Sequence, residues 1–246
     1  MSTPIAPALA PAPALAPSTT SVLVRRALGV FSALAGLALL AALVTQVTDQ
    51  IAAGRFEADE YFHFFTIQTA LINVVVLIVG GIEAFRRTVD TPLYTAVRAS
   101  IVAYAVVTGL VYNVLLRAIP NDDGYVGPVW PNELLHVWIP IFIAVEFIVN
   151  PTRTRLGWGT IGIAVSFPLA WVGVTLLRGA IEGWYPYPFL EPMGPAGVGG
   201  VVTYVLGIAV LIIALAALAV LVTRFQHRMP ARRSEHPGHT VDPPAA

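Results

Sequence analysis

The chain has 246 residues, 57% of them hydrophobic and 11% charged, with a mean hydropathy of +0.75 and a formal net charge of zero. Soluble domains carry about 25% charged residues, so this is membrane composition, and a neutral chain lacks the basic excess that a nucleic-acid partner requires. It contains no cysteine, which excludes disulfides, thiolate metal sites and a cysteine nucleophile, and all 14 of its basic residues are arginine.

The first 20 residues, MSTPIAPALAPAPALAPSTT, form a Pro/Ala tract without periodicity or charge. Such a tract buries too little apolar surface to order itself, so residues 1–24 are expected to be a disordered tail. The first apolar stretch is longer than the roughly 7–15 residues of a cleavable signal's apolar region, so no such signal is expected. Six apolar runs approach the length of about 20 residues that crosses the hydrocarbon core as a helix. They lie near 27–47, 64–82, 96–116, 133–150, 157–177 and 199–222. Thr91-Pro92 reads as an N-cap and first helical position before the third run. Asn150-Pro151 closes the fourth, and Pro186, Pro188, Pro192 and Pro195 keep the connection after the fifth non-helical. Residues 224–246 read as a second, basic disordered tail in which His227, His236 and His239 are scattered rather than gathered for a metal. The expected fold is all-α, a six-helix transmembrane bundle over residues 25–223 without an internal repeat.

Eleven arginines fall on one set of connecting segments and tails, and only Arg55, Arg117 and Arg178 on the other. The positive-inside rule then puts both termini in the cytoplasm. Exclusive use of arginine, with the Ala, Val and Pro content, matches a GC-rich bacterial genome, so the expected location is the bacterial plasma membrane.

Polar residues inside the runs gather at one depth. Thr66 lies early in the second run, His136 early in the fourth, and Tyr112 and Asn113 near the end of the oppositely directed third. His63, Thr66, Thr69 and Asn73 share one helical face by their spacing, a stripe that belongs against the bundle or a wet cavity. Burying a Glu or His at depth costs about 2–3 kcal/mol on insertion scales, so such groups read as functional by default. Pro140 lacks an N–H and pushes against the carbonyl of His136, which should open the helix beside the imidazole. Glu133, one turn before His136, is placed to accept a hydrogen bond from the ring. Glu146 is expected to pair with an arginine such as Arg98. Trp130, Trp138, Trp184, Tyr185 and Tyr187 have the composition of an outer aromatic belt.

Two chemistries fit this constellation. In one, Thr66 attacks a carbonyl, His136 takes its proton and an acyl-enzyme forms, while Asn73, Asn113 or a free backbone N–H stabilises the oxyanion, with Thr69 a competing nucleophile. In the other, Glu60-Tyr-Phe-His63 and Glu133-Leu-Leu-His136 present Glu-x-x-His pairs to a metal, although the further carboxylates of such sites are missing from the other runs. A third, non-enzymatic reading is a cavity that binds or transports a lipid or small molecule.

The segments N-E-L-L-H-V-W-I-P-I-F-I-A-V-E (132–146), Y-P-F-L-E-P-M-G-P (187–195) and F-F-T-I-Q (64–68) resemble the androgen-induced-protein family (androgen-dependent TFPI-regulating protein) of multi-span membrane threonine hydrolases. The chain is also similar to actinobacterial six-span integral membrane proteins. The family resemblance covers about a quarter of the chain and implies hydrolysis of fatty-acid esters of hydroxy fatty acids, with Thr66 as nucleophile and His136 as its partner. It implies no cofactor, membrane lipids and a lipid-like ester as partners, and a place for Tyr187 and Glu191 at the border of the cavity.

Overall fold

The structure is a computed structural model that describes residues 18–119 and 125–228. It is 79% helical, with no strand among the described residues, and six helices are long and apolar enough to cross a membrane. The long helices are α1 (Thr19–Ala52), α3 (Phe65–Arg86), α4 (Pro92–Val111), α7 (Thr160–Glu182) and α8 (Gly197–Gln226). Three shorter ones are α2 (Ala58–Tyr61), α5 (Val129–Glu133) and α6 (Ile139–Val149). Two π-helical turns extend or join these helices. Tyr112–Leu116 continues α4, and Leu134–Trp138 joins α5 to α6 into one span, Val129–Val149.

α1 begins five residues before the expected end of the N-terminal tail, because Ser18 caps it by accepting a hydrogen bond from the N–H of Ser21. At about 1.5 Å per residue its 34 residues extend roughly 50 Å. That exceeds the hydrocarbon thickness of about 30 Å, and its final turns carry Gln46 and Gln50. α8 likewise continues to Gln226, past the expected boundary at residue 224. Residues 1–17 and 229–246, the remainder of both expected tails, lie outside the described residues.

α4 is the central helix, in contact with α3, α6, α7 and α8, and more of its apolar window is buried than in any other span. α1 packs most extensively on α3. Their crossing depends on small residues, since a Cβ added to Gly81 would lie 2.7 Å from the Cβ of Ala33 and 2.9 Å from the carbonyl oxygen of Gly29. Without a hydrophobic effect between helices in lipid, such close backbone approach supplies the dispersion contacts that hold them together. Gly81→Leu is therefore expected to lower the thermal midpoint in detergent by several degrees, whereas Gly162→Leu, at a glycine with open space around it, leaves it near wild type. Large exposed side chains such as Leu34, Val75 and Leu169 cover the outside of the bundle, a surface suited to lipid tails.

One end of the bundle is locked by a buried charge network. Arg25 on α1 donates to Asp90 at 2.5 Å and to Thr152 at 2.8 Å. Arg153 reaches Glu146 at 2.5 Å and Asp90 at 3.4 Å, and Arg98 on α4 completes the cluster through Glu146, the pairing expected from the sequence. Asn150 donates to the second oxygen of Glu146 at 3.0 Å. α8 ends against the same region, where Arg224 donates to the carbonyl of Leu156 and the ring nitrogen Nε2 of His227 lies 2.8 Å from the carbonyl oxygen of Arg153. Both ends of the described chain thus lie on one side of the bundle.

Candidate functional site

At the opposite end, the last turns of α1, the start of α3, the π turn after α4 and the π turn before α6 surround an open cavity of about 330 Å³. Thr66 and His136 both line it, together with Gln46, Gln50, Tyr61, Tyr112 and Tyr187. The polar residues gathered by depth therefore meet in space, but in a more selective way than their spacing implied.

His136 is buried, and its Nδ1 lies 2.9 Å from the carbonyl oxygen of Asn132. A carbonyl only accepts, so Nδ1 carries the proton and Nε2 of the neutral ring keeps its lone pair. The ring stacks on Tyr112, with centroids 3.9 Å apart and planes 22° from parallel, and the Tyr112 hydroxyl accepts a hydrogen bond from Asn132. Asn132, rather than Glu133, thus fixes the tautomer. Glu133 turns outward to an exposed ion pair with Arg117, a partner from the end of the neighbouring span.

The carbonyl that Pro140 frees at His136 is satisfied from α4. Asn113 donates to it at 3.1 Å and to the carbonyl of Gly109 at 2.8 Å. This requires close approach, because a Cβ on Gly109 would lie 2.8 Å from the His136 carbonyl oxygen. Asn113 is consequently committed to bracing two helices on the exposed side of the bundle, and its amide does not reach the cavity as an oxyanion donor.

Thr66 is the second residue of α3. The N-cap position, Phe64, offers no side-chain cap to the first N–H groups of α3. The Tyr187 hydroxyl stands in that position, 3.4 Å from both the backbone nitrogen and Oγ1 of Thr66. Tyr187 is buried rather than part of an interfacial belt, and its burial raises its pKa, which keeps it a neutral phenol able to donate. No hydrogen bond joins Thr66 to His136 directly among the described residues; both line the same cavity.

Thr66, Tyr112, Leu116 and Tyr187 also line a second cavity of about 90 Å³, whose remaining wall is mostly apolar side chains such as Leu169, Val172 and Ile208, with Thr108 of α4 the other polar side chain on it. Thr66 therefore stands at the junction of a polar chamber and an apolar one.

Other expected site residues lie elsewhere. Thr69 is buried and donates back to the carbonyl of Phe65 at 2.9 Å, the usual fate of a threonine in a membrane helix. Asn73 is buried on the same face but borders a separate small cavity. Glu191 is exposed, and its backbone closes the turn after Pro188–Leu190 instead of contributing a side chain to the cavity. His63 precedes α3 and leaves the expected stripe; its Nε2 lies 3.1 Å from Thr175 Oγ1, and its carbonyl accepts from Trp171. Desolvation, then the nearby Arg178, lowers its pKa. Glu60 has its pKa raised by burial and then by Asp59 and Glu57. Glu60, His63, Glu133 and His136 are thus tied to separate surroundings, and no group of three or more metal-capable side chains forms among the described residues. Sequence reasoning missed Gln46, Gln50 and Tyr61, although two glutamines one turn apart at the end of an apolar run were a legible signal.

The architecture is that of a multi-pass α-helical membrane protein with a two-chambered cavity at one end. No family model, curated protein or solved structure matches the chain.

Proposed function

We propose that the protein is an intramembrane hydrolase of lipid esters, of the fatty-acid ester of hydroxy fatty acid type, in a bacterial plasma membrane with both termini cytoplasmic. The observation that carries this reading is the position of Thr66, which borders the chamber holding His136 and also the apolar chamber between α4, α7 and α8. An acyl chain in the apolar chamber and a more polar remainder in the other would bring the ester linkage to Thr66 Oγ1. The motif resemblance at residues 64–68, 132–146 and 187–195 assigns the same two residues.

In this reading Thr66 Oγ1 attacks the ester carbonyl as its proton passes to His136 Nε2, the nitrogen left free by the Asn132 hydrogen bond. The oxyanion is stabilised by the N-terminal N–H groups of α3 and by the Tyr187 hydroxyl, both beside Thr66. Collapse breaks the bond to the leaving alkoxide, which takes the proton from His136. Water then hydrolyses the acyl-threonine.

The test is release of products from a fatty-acid ester of a hydroxy fatty acid by purified protein in mixed micelles. The wild type is expected to release free fatty acid and hydroxy fatty acid in equal amounts, Thr66→Ser to keep part of the activity, and Thr66→Ala to lose it. Equal turnover by Thr66→Ala, or ester bound and left intact by the wild type, contradicts the reading. The second outcome is that of a lipid-binding or transport protein.

A further inference from the structure

Beside Thr66 lies a further small cavity of about 10 Å³ between α1, α3, α4 and the π turn before α6. Its apolar walls are broken by four polar side chains, Thr66, Thr69 and Asn73 from α3 and Thr108 from α4. Asn73 is 4% exposed and Thr108 7% exposed, yet Asn73 Oδ1 and Thr108 Oγ1 each lack a hydrogen-bond partner. Thr108 does not make the bond to a preceding carbonyl that Thr69 makes on α3. Two unpaired buried polar atoms from different helices bordering one cavity are costly unless something bridges them. The volume suits one water, which needs about 10–15 Å³ and two to four polar partners. A larger guest does not fit.

We infer that this cavity is a binding site for a single water molecule, held by Asn73 and Thr108, that is delivered to the acyl group on Thr66. The inference rests on the hydrolase reading and deepens it. With an acyl chain in the apolar chamber, the small cavity, which also borders Thr66, would hold a water beside the acyl group, positioned by protein groups in a way that water entering through the open chamber is not. In deacylation the water oxygen forms a bond to the acyl carbon and one of its protons passes to His136 Nε2. The bond from Thr66 Oγ1 to the acyl carbon then breaks, Oγ1 recovers the proton from His136, and the free acid departs.

The experiment uses the full-length protein in detergent with p-nitrophenyl butyrate as probe, followed by burst kinetics and intact-protein mass spectrometry. Thr108→Val keeps the shape of the side chain and removes its hydroxyl, Asn73→Leu removes the amide, and Thr108→Ser retains a hydroxyl. The first two are expected to release p-nitrophenol in a burst at close to the wild-type rate, slow roughly tenfold or more in steady turnover, and accumulate a butyryl adduct on Thr66, while Thr108→Ser turns over near wild type. Wild-type turnover without adduct in Thr108→Val and Asn73→Leu overturns the delivery role and leaves the hydrolase reading intact. A high-resolution map of the wild type without density between Asn73 and Thr108 overturns the site itself. Absence of any turnover or adduct in the wild type overturns the hydrolase reading and the delivery with it.

Discussion

Replacing His136 with alanine is expected to lower kcat for a lipid ester by about 10²–10⁴-fold, the usual contribution of a positioned general base. Its surroundings suit the proposed role. The Asn132 carbonyl holds Nδ1 protonated, the stack on Tyr112 fixes the ring plane, and Asn113 secures the backbone behind it. In the proposed reading the acyl chain binds against the α4, α7 and α8 side of the apolar cavity rather than the imidazole, so KM should change far less than kcat. Steady-state kinetics on protein that elutes as one peak in detergent separates the two quantities. A parallel loss in Thr66→Ala, with no further loss in the double variant, would mark the pair as one unit. Unchanged kcat in His136→Ala removes the proposed base from the mechanism.

The second large effect concerns stability. Glu146→Ala is expected to cost about 3–5 kcal/mol, because it leaves Arg98 and Arg153 buried without the carboxylate they share. Arg98 is 1% exposed and Arg153 2%, so neither can reach water without unfolding the end of the bundle. The expected readout is loss of the monodisperse peak in detergent and a thermal midpoint lowered by more than that of Gly81→Leu. Arg98→Met combined with Glu146→Met removes both partners of one pair and should be less damaging than Glu146→Ala alone, since Arg153 keeps Asp90. A wild-type midpoint for Glu146→Ala would mean that the network contributes nothing to folding.

The comparison of sequence with structure divides along physical lines. The six spans were legible because crossing a bilayer demands long apolar runs, and Thr66 and His136 because depth can be counted along each run. Helix ends were less so: the onset of α1 depended on the Ser18 cap inside a tract that reads as tail. Partner choice at the site was legible only in part. Pro140 announced a freed carbonyl at His136, but its capture by Asn113 depends on the register of α4 against the next span, which Gly109 sets by close approach. Glu133 and His136 stand one turn apart, yet the π turn between them leaves the ring with the Asn132 carbonyl and Glu133 with Arg117. Tyr187 sat among aromatic residues of belt composition, and only packing of the 184–190 connection over α3 brought its hydroxyl to Thr66. The pairing of Arg98 with Glu146 followed from depth, whereas the burial of Arg25 and Arg153 did not, because a count of positive charges treats every arginine as solvated.

The central claim, that Thr66 is a nucleophile activated by His136, is tested most directly by a fluorophosphonate probe on membranes containing the full-length protein. Attack by Thr66 Oγ1 on phosphorus displaces fluoride and leaves a stable adduct that peptide mass spectrometry can locate. The expected result is labelling of the wild type at Thr66, unchanged in Thr69→Ala and absent from Thr66→Ala and His136→Ala at matched expression. Folded wild type that takes up no label, or labelling that persists in Thr66→Ala, contradicts the account.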